Sequence, residues 1–409
     1  MKMDQLVRDV LHEQAGETAV TPPDFAGRVL AVRRRRRSRR LAGAAAAMVV
    51  AVAVAVGVPV LRDGEDGPRL ASQMNRSDII AHPDQTPPRD LVAAGDTALA
   101  AYYTSDLVEE SADRAVYRRT YRLLDQETGT YVKSTKWSVL DVAPGMRTAA
   151  VLEQTLPSKR IGLLDLLTGK VERWITVDHG VAGVEFSPDG HKLVATTYSK
   201  NPDLRFLADY DSDGDGKKND WMPDYETSYR TGFYVLDVDS GDGSWNKVTS
   251  AGDRMNGGIN SRQDFAFGAD GTLVYTGLTM EPHAQYYDFE GREVAKPANE
   301  KYLHWFVEAG LSPDGKLAAG DFAGGAKTTA SEINDPYTGK RLHKVRGQQL
   351  LAWADNERLI AWDIEPGTSE FRNRLVLVTI GSDKTVPLSG FRQGNDGAAG
   401  RWTPVFARR

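Results

Sequence analysis

The chain has 409 residues, 41% hydrophobic and 26% charged, enough for more than one domain or for one large repeat architecture with a buried core. It has no Cys, which excludes disulfides, cysteine-rich zinc sites, a lipoprotein cysteine and a thiol nucleophile. The net charge is −5, but residues 1–40 hold ten Lys/Arg against five acids and residues 41–61 hold no charge, so the main body is acidic and ill suited to direct nucleic-acid binding.

Residues 1–40 read as a short helical tail. In "MDQLVRDVLHEQ" (Met3 to Gln14), Leu6, Val7, Val10 and Leu11 share one helical face. "TPPDFAGRVLAV" (Thr21 to Val32) starts a second short helix, with Pro22 and Pro23 in its first turn. Two such pieces cannot build a core alone. The tail is either inert or a docking peptide for a cytoplasmic protein.

"LAGAAAAMVVAVAVAVGVPVL" spans residues 41–61 without a charge. At 1.5 Å rise per residue it can cross a hydrocarbon layer about 30 Å thick. Seven Arg in "RRRRRSRR" (Arg33 to Arg40) precede it, so the positive-inside rule keeps the N-terminus in the cytoplasm and sends the body outside. A cleaved signal peptide competes with this reading, since Ala51-Val52-Ala53 offers small residues for cleavage, but such a leader usually has a shorter apolar core. The expectation is a single-pass anchor in the cell membrane. Residues 62–90, with "RDGEDGPRLASQMNRSD" and "HPDQTPPRD", then read as a Pro/Gly-rich linker.

From residue 91 the chain repeats. "SPDGHKLVATTYSK" (Ser187 to Lys200), "GADGTLVYTGL" (Gly268 to Leu278) and "SPDGKLAAG" (Ser312 to Gly320) each join a tight turn to an apolar strand. "APGMRTAAVLE" (Ala143 to Glu153) and "ADNERLIAWDI" (Ala354 to Ile364) are degenerate copies. Pro presets φ near −65° in such a turn and Gly accepts the positive φ that closes it. A second half-motif, a strand, an Asp/Thr-Gly turn and a strand, follows in "LLDLLTGKVERW" (Leu163 to Trp174) and "YVLDVDSGDGSW" (Tyr234 to Trp245). The pitch of about 44 residues, Pro144 to Pro188 and Gly271 to Gly315, is that of a four-stranded propeller blade.

These turns resemble the bacterial WD40-like, TolB-like β-propeller repeats, whose hallmark is F-S-P-D-G-K. "FSPDGHKL" (Phe186 to Leu193) and "LSPDGKLA" (Leu311 to Ala318) match well and the other copies in part. The resemblance covers about residues 91–390 and implies a propeller without implying a ligand. The expected fold class is all-β: a six-bladed propeller over residues 91–409, or seven-bladed if the linker contributes strands, preceded by the tail and a transmembrane helix. The blades fall near 91–133, 135–176, 180–249, 260–297, 304–345 and 347–388, with "RWTPVFARR" (Arg401 to Arg409) supplying a strand that closes the ring. The whole layout also resembles membrane-anchored bacterial propellers often encoded beside an extracytoplasmic-function sigma factor. That resemblance implies an anti-sigma-like role for residues 1–40, although the tail lacks the His/Cys zinc motif of the common anti-sigma domain.

The wide gap between Gly190 and Gly271 holds an insertion near residues 200–230, and in it "DYDSDGDGKKNDWMPD" (Asp209 to Asp224). A calcium loop wants oxygen ligands at positions 1, 3, 5, 7, 9 and 12 with Gly at 6. Starting at Asp211, the ligands are Asp211, Asp213, Asp215 and Asn219, with Gly216 at 6 and Met222 failing at 12. Starting at Asp209, they are Asp209, Asp211, Asp213 and, at 12, Asp220. The stretch resembles the calcium loops of dockerin and thrombospondin type 3 repeats, without EF-hand helices. Close-set carboxylates repel, and a cation relieves that repulsion; the bland alternative is a solvated Asp-Gly turn.

No G-x-S-x-G elbow and no H-E-x-x-H occurs, and the seven His show no metal-ligand spacing. The expectation is therefore a non-enzyme: an extracytoplasmic binding, sensing or scaffold propeller with a protein or cell-envelope ligand, or a membrane-linked regulator of a sigma factor, with a propeller hydrolase as the minor alternative.

Overall fold

The computed structural model describes residues 79–211, 216–223, 229–248, 262–278, 282–324, 329–392, 394 and 400–409. The chain divides into two units, Met1–Gly64 and Glu65–Arg409, and every described residue belongs to the second. The tail, the apolar segment 41–61 and most of the linker lie outside the described residues. No helix among the described residues is long and apolar enough to cross a membrane.

The described body is all-β and antiparallel, and its strands group into six successive meanders. The first meander contains Thr97–Glu109, Arg114–Asp125 and Thr130–Ser134. Its innermost strand is the chain's last, Trp402–Arg408, paired with Thr97–Glu109 from Trp402 opposite Thr104 to Arg408 opposite Thr97. The second contains Trp137–Val142, Thr148–Glu153 and Ser158–Asp165. The strand Lys170–Phe186 serves two meanders: Lys170 to Thr176 pair with the second, and Val181 to Phe186 pair with Lys192–Tyr198 of the third. Arg230–Asp237 and Gly243–Lys247 complete the third. The fourth has Ala266–Phe267, Val274–Gly277, Ala284–Tyr287 and Glu293–Val294. In the fifth the inner strand shrinks to a bridge between Leu311 and Ala318, followed by Ala318–Phe322, Ala330–Asn334 and Arg341–Arg346. The sixth has Gln349–Trp353, Arg358–Ile364, Asn373–Thr379 and Thr385–Pro387.

Side-chain alternation explains how the meanders stack. Successive side chains on a strand point to opposite faces. In Asn373–Thr379, Leu375 and Leu377 pack towards the first meander with Leu99, Tyr102 and Trp402, while Val376 and Val378 pack towards the fifth with Ala319 and Ile333. In Lys192–Tyr198, Leu193 and Ala195 join the core shared with the second meander, and Val194 joins Phe265 and Tyr287 of the fourth. Both faces are buried, so these strands read as near-continuous apolar runs. The fourth and fifth meet through the segment between them, where Tyr286 donates to Glu300 at 2.8 Å and Trp305 donates to the Leu278 carbonyl at 2.9 Å. Each meander thus packs on the next and the sixth packs on the first, which is the arrangement of a β-propeller.

Two details refine the sequence reading. Ile79 and Ile80 pair with Ala94 and Ala93, and Gln85 is buried, so the stretch expected as linker up to residue 90 joins the folded body from Ile79. The reason is local: Gln85 receives the amides of Arg89 and Asp90 at 2.8 and 3.1 Å, which folds the Pro-rich segment onto itself. These short strands extend the first sheet and form no seventh meander among the described residues.

Candidate functional site: an arginine-lined cavity at one face

The inner strands fix the two ends of the ring. At one end the inner strands of the second to sixth meanders run into their tight turns, at Ala143, Ser187, Gly268, Ser312 and Ala354. At the other end, where the inner strands of the first, fourth, fifth and sixth meanders begin, lies a cavity of about 410 Å³. Arg262 stands just before Ala266–Phe267, Glu308 just before Leu311, Gln349 opens the sixth inner strand, and Thr403 and Pro404 open the closing strand. Arg392 and Arg401 come from the segment that leads to that closing strand.

Two longer features roof this end. The first-meander strands Thr97–Glu109 and Arg114–Asp125 are 13 and 12 residues long and project as a hairpin beyond their sheet. The insertion of the third meander folds as a second hairpin, Leu204–Ala208 with Asp220–Met222. Leu204, Arg205 and Phe206 pair with Val116, Ala115 and Arg114, so the insertion passes the second meander and adds strands to the first. This pairing delivers Asp203 and Arg205 to the cavity beside Tyr103, Ser105, Tyr117 and Arg119 of the projecting hairpin.

The electrostatics centre on Asp203, whose side chain is only 5% exposed. Arg119 grips it with two hydrogen bonds, of 2.8 and 3.1 Å, and donates a third to the Ser138 carbonyl at 3.1 Å. Arg262 grips the same carboxylate at 2.7 and 3.1 Å, and also donates to Asp264 at 2.9 Å and to the Ala182 carbonyl. Burial opposes ionisation of Asp203, but the attraction of Arg262 and Arg119 outweighs it and holds the carboxyl well below the usual carboxylate range. Arg205 is placed differently. Its Nη1 donates to the backbone carbonyls of Pro202 and Leu204, its guanidinium lies 4.9 Å from the Tyr117 ring, and burial lowers its pKa from the ordinary arginine value. It stays charged, as arginine does in proteins.

Across the cavity, Arg392 stacks 3.6 Å from the Trp362 ring and donates to Asn373 Oδ1 at 2.6 Å and the Trp402 carbonyl at 2.7 Å. Arg401 donates to the carbonyls of Phe371 and Gly394. Glu308 lines the cavity with its side chain exposed, and it accepts a hydrogen bond from Gln349 Nε2 at 3.3 Å. The wall therefore presents five arginines and two carboxylates.

Deeper in the ring, carboxylates brace one inner strand to the next. Asp141 accepts the Phe186 amide at 2.7 Å and Glu185 accepts the Phe267 amide at 3.0 Å. Burial raises both carboxyls, to about 6 for Asp141 and about 8 for Glu185, where the nearby Asp141 charge adds to the effect.

Of the acidic stretch, residues 209–211 and 216–223 are described. Asp209 is exposed, with Lys218 Nζ 4.0 Å from its Oδ1. Asp211 Oδ2 accepts the Gly216 amide at 3.2 Å, and Gly216 has φ +89°. Asn219 is exposed, and Asp220 opens the returning strand opposite Ala208. Asp213 and Asp215 lie outside the described residues. Among the described residues no group of three or more His, Asp or Glu is disposed to hold a metal ion.

The arginines of the cavity escaped the sequence reading because they are scattered singly over some 280 positions, each in a different strand or loop. The one available signal was the length of the hydrophilic extension "TSDLVEESADRAVYRRT" (Thr104 to Thr120), too long for one blade.

No family model matches the chain, and no curated protein matches it. Among solved structures it is similar to TolB from Acinetobacter baumannii, at 15% identity and a TM-score of 0.35, covering 73% of this chain and 68% of that one. It is also similar to the Cps50 (Swd1) beta-propeller domain of Myceliophteria thermophila, at 14% identity and a TM-score of 0.31, covering 72% and 99%. A third similar structure is the hydrazine synthase of Kuenenia stuttgartiensis, at 15% identity and a TM-score of 0.33, covering 63% and 68%. At likeness this low, the propeller assignment stands on the strand pairing of the chain itself.

Proposed function

We propose that this chain is a single-pass membrane protein whose propeller lies outside the cytoplasm and works as a non-catalytic binding or sensing module, with the roofed cavity as its ligand site. The cavity carries the reading: a half-open space of about 410 Å³ is of small-molecule size, and it sits where four meanders and the insertion converge. The uncharged residues 41–61 and the seven preceding Arg support the topology. On this reading the acidic stretch is a calcium loop built on Asp211, Asp213, Asp215 and Asn219, with Asp209 and Asp220 in the alternative frame, and the hydrogen bond from the Gly216 amide to Asp211 supports the first frame. Residues 1–40 are the inward end, with a sigma factor as the proposed partner.

Reporter fusions after residue 70 test the reading. Activity of a periplasm- or exterior-dependent reporter, with the protein retained in the membrane fraction, is the expected result. A soluble secreted form starting near residue 56 sinks the anchor, and an active cytoplasmic reporter sinks the topology.

A further inference from the structure

We propose that Asp141, Glu185 and Asp264, carried on or just before the inner strands of the second, third and fourth meanders, form a pH-responsive seam that loosens when they are charged together. Neither the ligand role nor the membrane topology is needed for it.

Asp141 stands two residues before the turn at Ala143, and Glu185 two residues before the turn at Ser187, so they hold corresponding places on adjacent inner strands. The free edge of an inner strand leaves backbone amides without a ladder partner. Asp141 takes the amide of Phe186 and Glu185 that of Phe267, so each carboxylate ties its own strand to the next. Asp264 reaches back in the opposite direction. Its carboxyl fills the place a Cβ on Gly183 would take, two residues from Glu185, and it accepts the Tyr198 hydroxyl of the third meander at 2.7 Å. All three side chains are half-buried. In the fourth, fifth and sixth meanders the place of Glu185 falls to Ala266, Gly310 and Ala352, so the seam occupies one side of the ring.

The charges that face this cluster leave it acidic. Arg262 is shared between Asp203 and Asp264. Arg230 of the third meander donates to the Gln263 carbonyl and to Thr276. The closing strand brings only Arg408, which is exposed. From the fourth meander Tyr275 lies near Glu185 and Glu300, and burial keeps its hydroxyl protonated. No cation among the described residues pairs with Asp141 or Glu185. Burial, then the like charges of Asp141 and Asp264, push the Glu185 carboxyl up to about 8, and burial pushes Asp141 up to about 6. In the unfolded chain both titrate near 4. The folded chain therefore holds protons that the unfolded chain has released, and stability falls as pH rises from about 5 towards 8.

The test is urea unfolding of the full-length chain in detergent at about pH 5 and about pH 8.5. Glu185→Gln keeps an oxygen for the Phe267 amide and cannot ionise. Its midpoint is expected to match the parent's at the lower pH and to exceed it at the higher. Asp141→Asn should behave likewise, with its gain complete by about pH 7. It decides the matter by the same comparison should Glu185→Gln fail to fold. In the double variant, the gain that Glu185→Gln brings at the higher pH should be smaller than in the parent, because one facing charge is already gone. A difference between Glu185→Gln and parent that is the same at both pH values overturns the seam, as does a parent that is the more stable at the higher pH. Full additivity of the two substitutions also overturns it, since the carboxylates would then titrate without sensing one another.

Discussion

At the scale of single residues, the Ser-Pro-Asp-Gly turn shows why its four letters recur. In Ser312 to Gly315 the Gly315 amide donates to the Ser312 carbonyl at 2.8 Å, and Gly315 has φ +70°. The Ser312 hydroxyl donates to Asp314 at 2.8 Å and accepts the Leu317 amide at 3.0 Å, which aims the following strand. Pro has a further role between blades: Pro188 Cδ lies 3.2 Å from the place a Cβ on Gly271 would take, and Pro144 Cδ lies 3.3 Å from that place on Gly190. These two turns each rest on the turn before them in the ring. No atom outside the adjacent residues comes within 4 Å of a Cβ built on Gly315, so its substitution isolates the backbone term. Gly315→Val is expected to cost about 1–3 kcal/mol, because a β-branched residue is held at positive φ. Urea unfolding of the variant checks this; a curve matching the parent's would refute the turn's role.

At the scale of elements, the turns and strands were legible because their causes are local. A Gly at positive φ, a Pro and an apolar run declare a hairpin within ten residues, so the six meanders fell close to the expected boundaries, including the closing strand Trp402–Arg408. The cavity was not legible, because its arginines are joined only by pairing across meanders, such as Leu204 with Val116. The inserted hairpin lies between these cases. Its acidic stretch was visible as composition, whereas its docking on the first meander was not. If the tip holds calcium, binding to the folded state alone stabilises it by about 2.7 kcal/mol at a free concentration a hundredfold above Kd. The chain should then melt higher with calcium than with chelator, with a smaller effect of magnesium, which demands a tighter octahedron. Asp213→Ala, a ligand in both frames, should abolish the shift and leave the chelated melt nearly unchanged. Calorimetry showing no calcium binding to the parent would reduce the stretch to a solvated turn.

At the scale of the whole propeller, Asp203 ties the ring together across its roofed face. It belongs to the insertion of the third meander, Arg119 to the first, and Arg262 to the approach to the fourth, and the two ion pairs measure 2.8 and 2.7 Å. The Arg119 and Arg262 side chains are only 12% and 20% exposed, so solvent screens them weakly. Asp203→Asn keeps the shape but leaves two guanidiniums facing each other, and breaking one side of a buried charge pair costs about 3–5 kcal/mol. The sign with pH follows from the depressed carboxyl. Its contribution is fully present above the ordinary carboxylate pKa of about 4 and is lost progressively as pH falls towards the lower folded value. The stability gap between parent and Asp203→Asn, read from urea melts, should therefore be widest at neutral pH and narrow below about pH 4. A gap of constant size from neutral pH to about pH 3 would mean that the variant loses packing rather than charge pairing. The same variant should also loosen the roof, because residues 203–205 lead directly into the strand that pairs with Val116. Amide exchange at Leu204 and Phe206 should accelerate more than at Leu375 or Val376 in the sixth meander, and equal acceleration at both places would show that Asp203 acts on global stability alone.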